Sequence, residues 1–441
     1  MSLLVSYDAA DDLLAQATLQ ALMDVALQRE SFADDADGVA DVDVRCEAVD
    51  YATVFLALTD SADSRELVAD TSKDMKAFCK ALRLNEDSAT VSAAAALRGH
   101  LRRLDRSIKA HAKAVDASAD VSKLQSDWTS PLEVRRSKKH KNVRGFGVIP
   151  GTTSKESSTL LRGAVALDAA VAHAHHALAL ERLARVDLTA AIGRGPCAAV
   201  DEHLAAVKCF AAALKGCAGL WEEARGSKDA HVSTLDDLET GEAKPSSRPP
   251  EGVKTVNAAM AARCAAMAQC CAIATAILTA KPPSLIARLC AAAAERLEFA
   301  HESTLKEIWH HARLRYGGEL PAHAKLLHGI AALYSAFAAR DTDKYGPQIG
   351  WLGAASKLVG AGTPLAAAIK TVLERAVHDN STVYFAAVPK PEELDKLKPE
   401  ALLLMKPEVP LPPYDGAVRF AKRQLTDEEL ARKLQAELNA S

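Results

Sequence analysis

Aromatic residues are scarce in this chain, 5% of 441 residues, although 49% of it is hydrophobic. Alanine supplies much of the apolar count. It is the best helix former and allows close approach, so the composition favours packed helices over sheet. A strong charge of either sign is also lacking. Charged residues make up 25% of the chain and the formal net charge is −3, which excludes a whole-molecule pull toward nucleic acid or anionic lipid. The opening MSLLVSYDAADD has no basic start and no long apolar run, so a secretory leader is not expected. The most apolar long window, Val256 to Ala280, contains Arg263 and Gln269 and suits a buried central helix better than a membrane span. The closing LNAS lacks a prenylation cysteine, and Ser2 stands where myristoylation needs glycine. Cysteine pairs of the CxxC kind are missing too. The nine cysteines (46, 79, 197, 209, 217, 264, 270, 271 and 290) are scattered through apolar stretches, and the expectation is reduced thiols in a soluble, cytoplasmic protein.

What is present is helical periodicity. A short strand over Leu3–Tyr7 is expected first, then helices over Leu13–Leu27, Val49–Leu58 and Leu67–Leu82. Thr90–Ala117 reads as one long helix, with Leu97, Leu101, Leu104 and Ile108 inward and Arg98, Arg102, Arg103 and Lys109 outward. Ser126–Pro150, with Trp128, Pro131, Gly145, Gly147 and Pro150, suits short strands and loops. Helices resume over Ser157–Val186 and Ala198–Arg225. Residues 226–252, rich in Pro, Gly and Ser, are expected to form an exposed loop. Helices then follow over Val253–Ala280, Pro283–Arg315, Pro321–Arg340, Tyr345–Val359 and Pro364–His378. The Lys281-Pro282-Pro283-Ser284 break folds two of them back on each other. Such antiparallel pairs resemble tetratricopeptide stacking without a 34-residue repeat. Residues 381–413 read as an extended closing segment, and 414–441 as a tail with a short amphipathic helix: Thr426 and Glu429 form a capping box before Leu430, Leu434 and Leu438.

Catalytic patterns are missing. Two Glu-x-x-His pairs, Glu298/His301 and Glu307/His310, lie nine residues apart on one helix, which turns them about half a rotation from each other, so no shared metal site is expected. His173, His175 and His176 do not converge as ligands, and core or surface histidines are the better reading. No GxSxG turn, phosphate loop or dinucleotide fingerprint occurs, and the cysteines lie within helices. No cofactor and no enzyme activity are expected. The basic run Arg135, Arg136, Lys138, Lys139, Lys141 and Arg144 is either a solvated loop or a contact for anionic lipid or an acidic partner. RNA is disfavoured by the lack of stacking aromatics nearby.

Three segments carry a family resemblance. MAQCCAIATAILTAKPPSLIARLCAAAAERLEFA, within residues 264–304, resembles the central helical hairpin of the Bro domain found in Alix, Brox and His-domain phosphatase. LERAVHDNSTVYFAAVPKPEELDKLKPEALLLMKPEVPLPP, within 371–413, resembles that domain's closing segment, with Val383-Tyr384 followed by Val388-Pro389 and a proline-rich strap. Ser126-Asp127-Trp128-Thr129 is similar to the family's tryptophan-containing strand beside its small sheet. The resemblance implies a Bro-like domain over residues 1–413, closest in size and ending to the Brox-like members. Its fold would be a mainly α, boomerang-shaped helical bundle with a small β-sheet near the N-terminal part.

The family's implied function is a non-enzymatic adaptor that binds the C-terminal amphipathic helix of ESCRT-III subunits of the charged multivesicular body protein type, in endosomal sorting. Such a protein is cytoplasmic and recruited peripherally to endosomal membranes. The family's second and third apolar contacts fall on Leu285 and Leu289. The first falls on Ala272, where Alix-type members carry phenylalanine, and neighbouring Ile273 and Ile277 are expected to compensate in part. Small side chains there fit a helix-in-groove mode. In the tail, Asp427 to Leu434 looks like an inverted ubiquitin-interacting helix, with Leu430, Ala431 and Leu434 as contacts. The residues alone also allow a generic helical-repeat scaffold with another partner, and, more remotely, a helical enzyme built around histidines.

Overall fold

The computed structural model describes residues 9–27, 46–47, 62–118, 125–130, 132–134, 143–147, 157–192, 200–226, 250–306, 313–314, 319–394 and 397. Two compact units divide the chain, 1–410 and 411–441. All described residues belong to the first; the tail helix, the opening strand and the Val49–Leu58 helix lie outside them.

Eleven α-helices occur among the described residues: α1 (Ala9–Leu27), α2 (Ala62–Leu84), α3 (Asp87–Ala110), α4 (Ala112–Ser118), α5 (Ser157–Ile192), α6 (Val200–Gly226), α7 (Lys254–Leu278), α8 (Pro283–Lys306), α9 (Leu320–Arg340), α10 (Tyr345–Leu358) and α11 (Pro364–Asp379). They stack serially. α2 packs on α3, α3 on α5, and from α5 to α11 each helix packs on the next, while α1 lies against α7 and α11. Each helix therefore buries its apolar faces on its immediate neighbours, as in repeat proteins. Phe78, Leu97, Leu101, Leu104, Ile108, Leu161 and Leu167 form one continuous apolar cluster joining α2, α3 and α5, and burying each such side chain is worth about 1.5–3 kcal/mol. In α7 alanines supply much of the buried surface, among them Ala258, Ala259, Ala261, Ala266, Ala268 and Ala274. By length and composition α7 and residues 204–225 of α6 are apolar enough to cross a membrane, but both are packed inside the stack.

Short antiparallel ladders accompany the helices. β2 (Gln125–Thr129) pairs with β1 (Cys46–Glu47) and with β4 (Val143–Gly147), Gln125 opposite Gly147 and Thr129 opposite Val143. β3 (Glu133–Val134) pairs with β5 (Arg313–Leu314).

Several expectations are corrected. The helix read over Thr90–Ala117 breaks at His111, which separates α3 from α4. Arg98, placed on its outer face, is buried, with its guanidinium 3.0 Å from His176 Nδ1 of α5. Its partner is 78 residues away, so periodicity alone made it a surface residue. The end of the expected exposed loop, Pro250–Gly252, is a buried 3-10 turn, and Asn257 donates to the Glu251 carbonyl at 2.8 Å. Cys79 is disulfide-bonded, where a free thiol was expected, because the fold joins cysteines that no spacing rule connects. Among the described residues six other cysteines are free.

The closing segment does not begin extended. After α11 the chain makes a π-helical turn over Asn380–Tyr384. Phe385 then adopts a left-handed conformation, φ 52°. The Asn380 side chain drives this: its amide donates to the Ala386 carbonyl at 3.0 Å, and its oxygen accepts from the Ala386 N–H at 2.9 Å. Such a local bond competes with strand formation. Tyr384 stacks on Tyr345 of α10, ring centroids 3.6 Å apart. Beyond it the chain crosses α10 at Gly346, where a Cβ would collide with the Ala387 carbonyl oxygen.

Candidate functional site

The α7–α8 hairpin is built by its turn. α7 ends with Ala280 at φ 50°; the Lys281 N–H reaches back to the Ala276 carbonyl at 2.9 Å and the Ala280 N–H to the Ile277 carbonyl at 3.0 Å. This is a Schellman ending, with alanine where glycine is usual. The Pro282 carbonyl accepts from the Leu285 and Ile286 N–H groups at 3.0 and 3.3 Å, and Pro283 opens α8 at the one position where its missing N–H costs nothing.

A buried glutamine bridges α7 to α8. Gln269 is fully buried, and its amide donates to the Leu289 carbonyl at 2.7 Å. Its oxygen accepts from the Arg296 guanidinium. Both ends of the buried amide are satisfied, as they must be, since an unpaired one costs about 1–3 kcal/mol. Burial lowers the Arg296 pKa.

On the other side of α7 the bridge is ionic. Glu181 of α5 accepts from Arg263 of α7 at 2.7 and 3.1 Å, and from Arg185. Arg185 also donates to the Leu27 carbonyl at the end of α1, 2.8 Å away. Burial pushes the Glu181 carboxyl up, but Arg263 and Arg185 outweigh it and hold the group at about 2.

The three clustered histidines are core residues. His173, His175 and His176 are buried, and burial first, then neighbouring arginines (Arg98 for His173 and His176, Arg182 for His175), hold each at about 3 and neutral. His175 packs edge-on against Phe78. Among the described residues no group of three or more ligand-type side chains has metal-binding geometry. Glu298 meets His328 of α9 at 2.9 Å; Glu307 and His310 lie outside the described residues. Cys264 and Cys270 are pushed up to about 12 by burial, which keeps both thiols protonated.

The five residues expected to grip a partner helix separate by depth. Ala272, Ile277 and Leu285 are half-buried, whereas Ile273 and Leu289 are core side chains, Leu289 only 1% exposed. Four residues turn a helix by about 40° beyond a full rotation, enough to leave Leu285 at the rim and carry Leu289 beneath it. Leu278 at 40% and Phe299 at 51% exposed also belong to this hairpin. Sequence reasoning missed both; the seven-residue spacing of Leu285, Ala292 and Phe299 was the available signal. Of the basic run, only Arg144 falls in a described element, β4; Arg135, Arg136, Lys138, Lys139 and Lys141, and the tail's Leu430, Ala431 and Leu434, lie outside the described residues.

Compared with known proteins, residues 223–430 match the family model described as BRO1-like domain. The chain is similar in structure to the ALIX BRO1 CHMP4C complex, at 14% identity and TM-score 0.52, covering 81% of this chain and 92% of that one. It is also similar to ALIX in complex with the SIVmac239 PYKEVTEDL late domain, at 14% identity and TM-score 0.54, covering 89% of this chain and 52% of that one. A third similar structure describes the basis for endosomal targeting by the Bro1 domain, at 12% identity and TM-score 0.54, covering 78% and 86% of the two chains. At such identities the likeness is one of fold. No curated protein matches the chain in sequence.

Proposed function

With residues 223–430 matching the BRO1-like domain as premise, we propose that this protein is a non-enzymatic adaptor whose α7–α8 hairpin binds the C-terminal amphipathic helix of an ESCRT-III subunit. The observation that carries the reading is that apolar side chains of the hairpin stay partly exposed: Ala272 of α7 and Leu285 of α8 are half-buried, and at the turn end Ile277 is half-buried and Leu278 exposed. Apolar side chains beside small ones suit a helix laid along the pair. The fold supports the same reading, since a similarly folded BRO1 domain is in complex with CHMP4C. Recruitment to endosomal membranes follows from that partner, and the likeness to a Bro1 domain described for endosomal targeting supports it. Ile273 and Leu289 act from below, by holding the rim in shape. Contacts of the basic run with anionic headgroups, and of the tail helix with ubiquitin, are separate parts of the proposal. Vesicle flotation with a charge-reversed run and a ubiquitin titration test them.

Titration calorimetry of the full chain against a panel of ESCRT-III C-terminal helix peptides tests the main reading. Micromolar binding by at least one peptide is expected, and Leu285→Asp abolishes it without changing the melting temperature. Leu289→Asp is not a usable variant, because it places a charge in the core. Binding unchanged in Leu285→Asp rejects this site.

A further inference from the structure

The α8 face beside α7 carries two parallel rows, each at seven-residue spacing. Leu285, Ala292 and Phe299 form the first; Arg288, Glu295 and Glu302 form the second. Seven residues advance a helix by nearly two whole turns, so each row runs almost straight along α8. The flanks are set by hydrogen bonds. Gln269 of α7 meets the Leu289 carbonyl and Arg296 on one side, and His328 of α9 meets Glu298 on the other. Helical rotation places the apolar row on the α7 side and the charged row toward α9.

We propose that the docking groove runs the full length of the hairpin, with Phe299 as a second anchor, and that the charged row fixes the direction of the bound helix. The inference rests on the ESCRT-III reading and extends it to the partner's required pattern. Phe299 is 51% exposed, a large aromatic on a chain poor in them. It lies fourteen residues from Leu285, about 21 Å along the axis. Between them Ala292 allows close approach, and the adjoining α7 face carries Ala265, Ala272 and Ala276 around the buried Gln269. The missing bulk at position 272 is thus supplied at the far end of the groove.

The charged row is polarised. Arg288, with Lys281 in the adjoining turn, makes the turn end basic, and Glu295 and Glu302 make the other end acidic; all four are exposed. A bound helix with apolar residues on a heptad seam over at least fourteen residues lays its acidic end over Lys281 and Arg288 and its basic end over Glu295 and Glu302. Rim charges of this kind select register and direction more than they add affinity.

Fluorescence anisotropy of the full chain with a labelled ESCRT-III C-terminal helix peptide tests this, with circular dichroism melting as the fold control. Phe299→Ala is expected to weaken binding about tenfold with an unchanged melt, as loss of an anchor does. Glu295→Lys combined with Glu302→Lys is expected to weaken it further at low salt, and a peptide with its basic end reversed to acidic restores binding. Wild-type binding that is lost in Leu285→Asp but unaltered by Phe299→Ala and by the double reversal overturns this inference and leaves the adaptor reading standing. Absence of wild-type binding to every ESCRT-III helix overturns both.

Discussion

The two sides of α7 are held by different chemistry. Toward α5 the contact is ionic, with Glu181 between Arg263 and Arg185 and tied to the end of α1. Toward α8 there is no ion pair in the bridge, a single glutamine joining the Leu289 carbonyl to the Arg296 guanidinium. A buried charge is costly unless it is partnered, so removing either arginine on the first side is strongly destabilising. The second side is an extended helix–helix packing in which small buried side chains, Ala265 and Ala276 of α7 and Ala292 of α8, surround the glutamine. The α5 side ties α7 into the stack; the α8 side is where the proposed partner helix would lie.

Breaking the ionic side has the largest effect. Arg263→Ala leaves Glu181 buried with half its compensation, and should lower stability by about 3–5 kcal/mol, read as the urea midpoint. Glu181→Gln with Arg263→Met should recover most of the loss, and failure to recover would show that packing rather than charge dominates.

On the α8 side, Gln269→Leu strands the Arg296 guanidinium in a half-buried position, and a loss of about 1–3 kcal/mol is expected. It should leave the α5 side unaltered, so its effect should add to that of the Glu181→Gln, Arg263→Met pair.

Acid separates the regions further. The three histidines of α5 sit at about 3 in the folded chain against an ordinary 6.5. Between those values the unfolded chain takes up protons that the folded one refuses, so their contribution is complete above pH 6.5 and is lost as pH falls toward 3. From pH 6.5 to 5 the urea midpoint should fall, and His175→Gln should flatten the slope. Glu181, held at about 2, joins only in stronger acid.

The smallest effect is at the hairpin turn. Ala280→Gly relieves the left-handed alanine at φ 50°, and should raise stability by up to about 1 kcal/mol, with partner binding unchanged.

Much of the helical order was legible, because alanine periodicity and the Pro282-Pro283 break are local signals. The buried end of Arg98 was not. It depends on His176 of another helix, as Cys79 depends on a bond that spacing does not announce. The closing segment was misread at its start because β-prone Thr382, Val383 and Tyr384 are overruled by one side chain, Asn380, clasping Ala386. At the hairpin, four-residue spacing put Leu285 and Leu289 on one face but said nothing of depth, and depth decides which side chain is accessible. Phe299 went unnoticed because it lies on no family contact position, although its row with Leu285 and Ala292 is written in the spacing.

The central claim is that a partner helix lies on the α7–α8 rim, and photocrosslinking tests it most directly. Benzoylphenylalanine is placed at position 285 and, as control, at position 371 on the exposed face of α11. With an ESCRT-III C-terminal helix peptide the account predicts capture from position 285 and none from 371. Capture from 371 alone, or from neither with peptide bound, would contradict it.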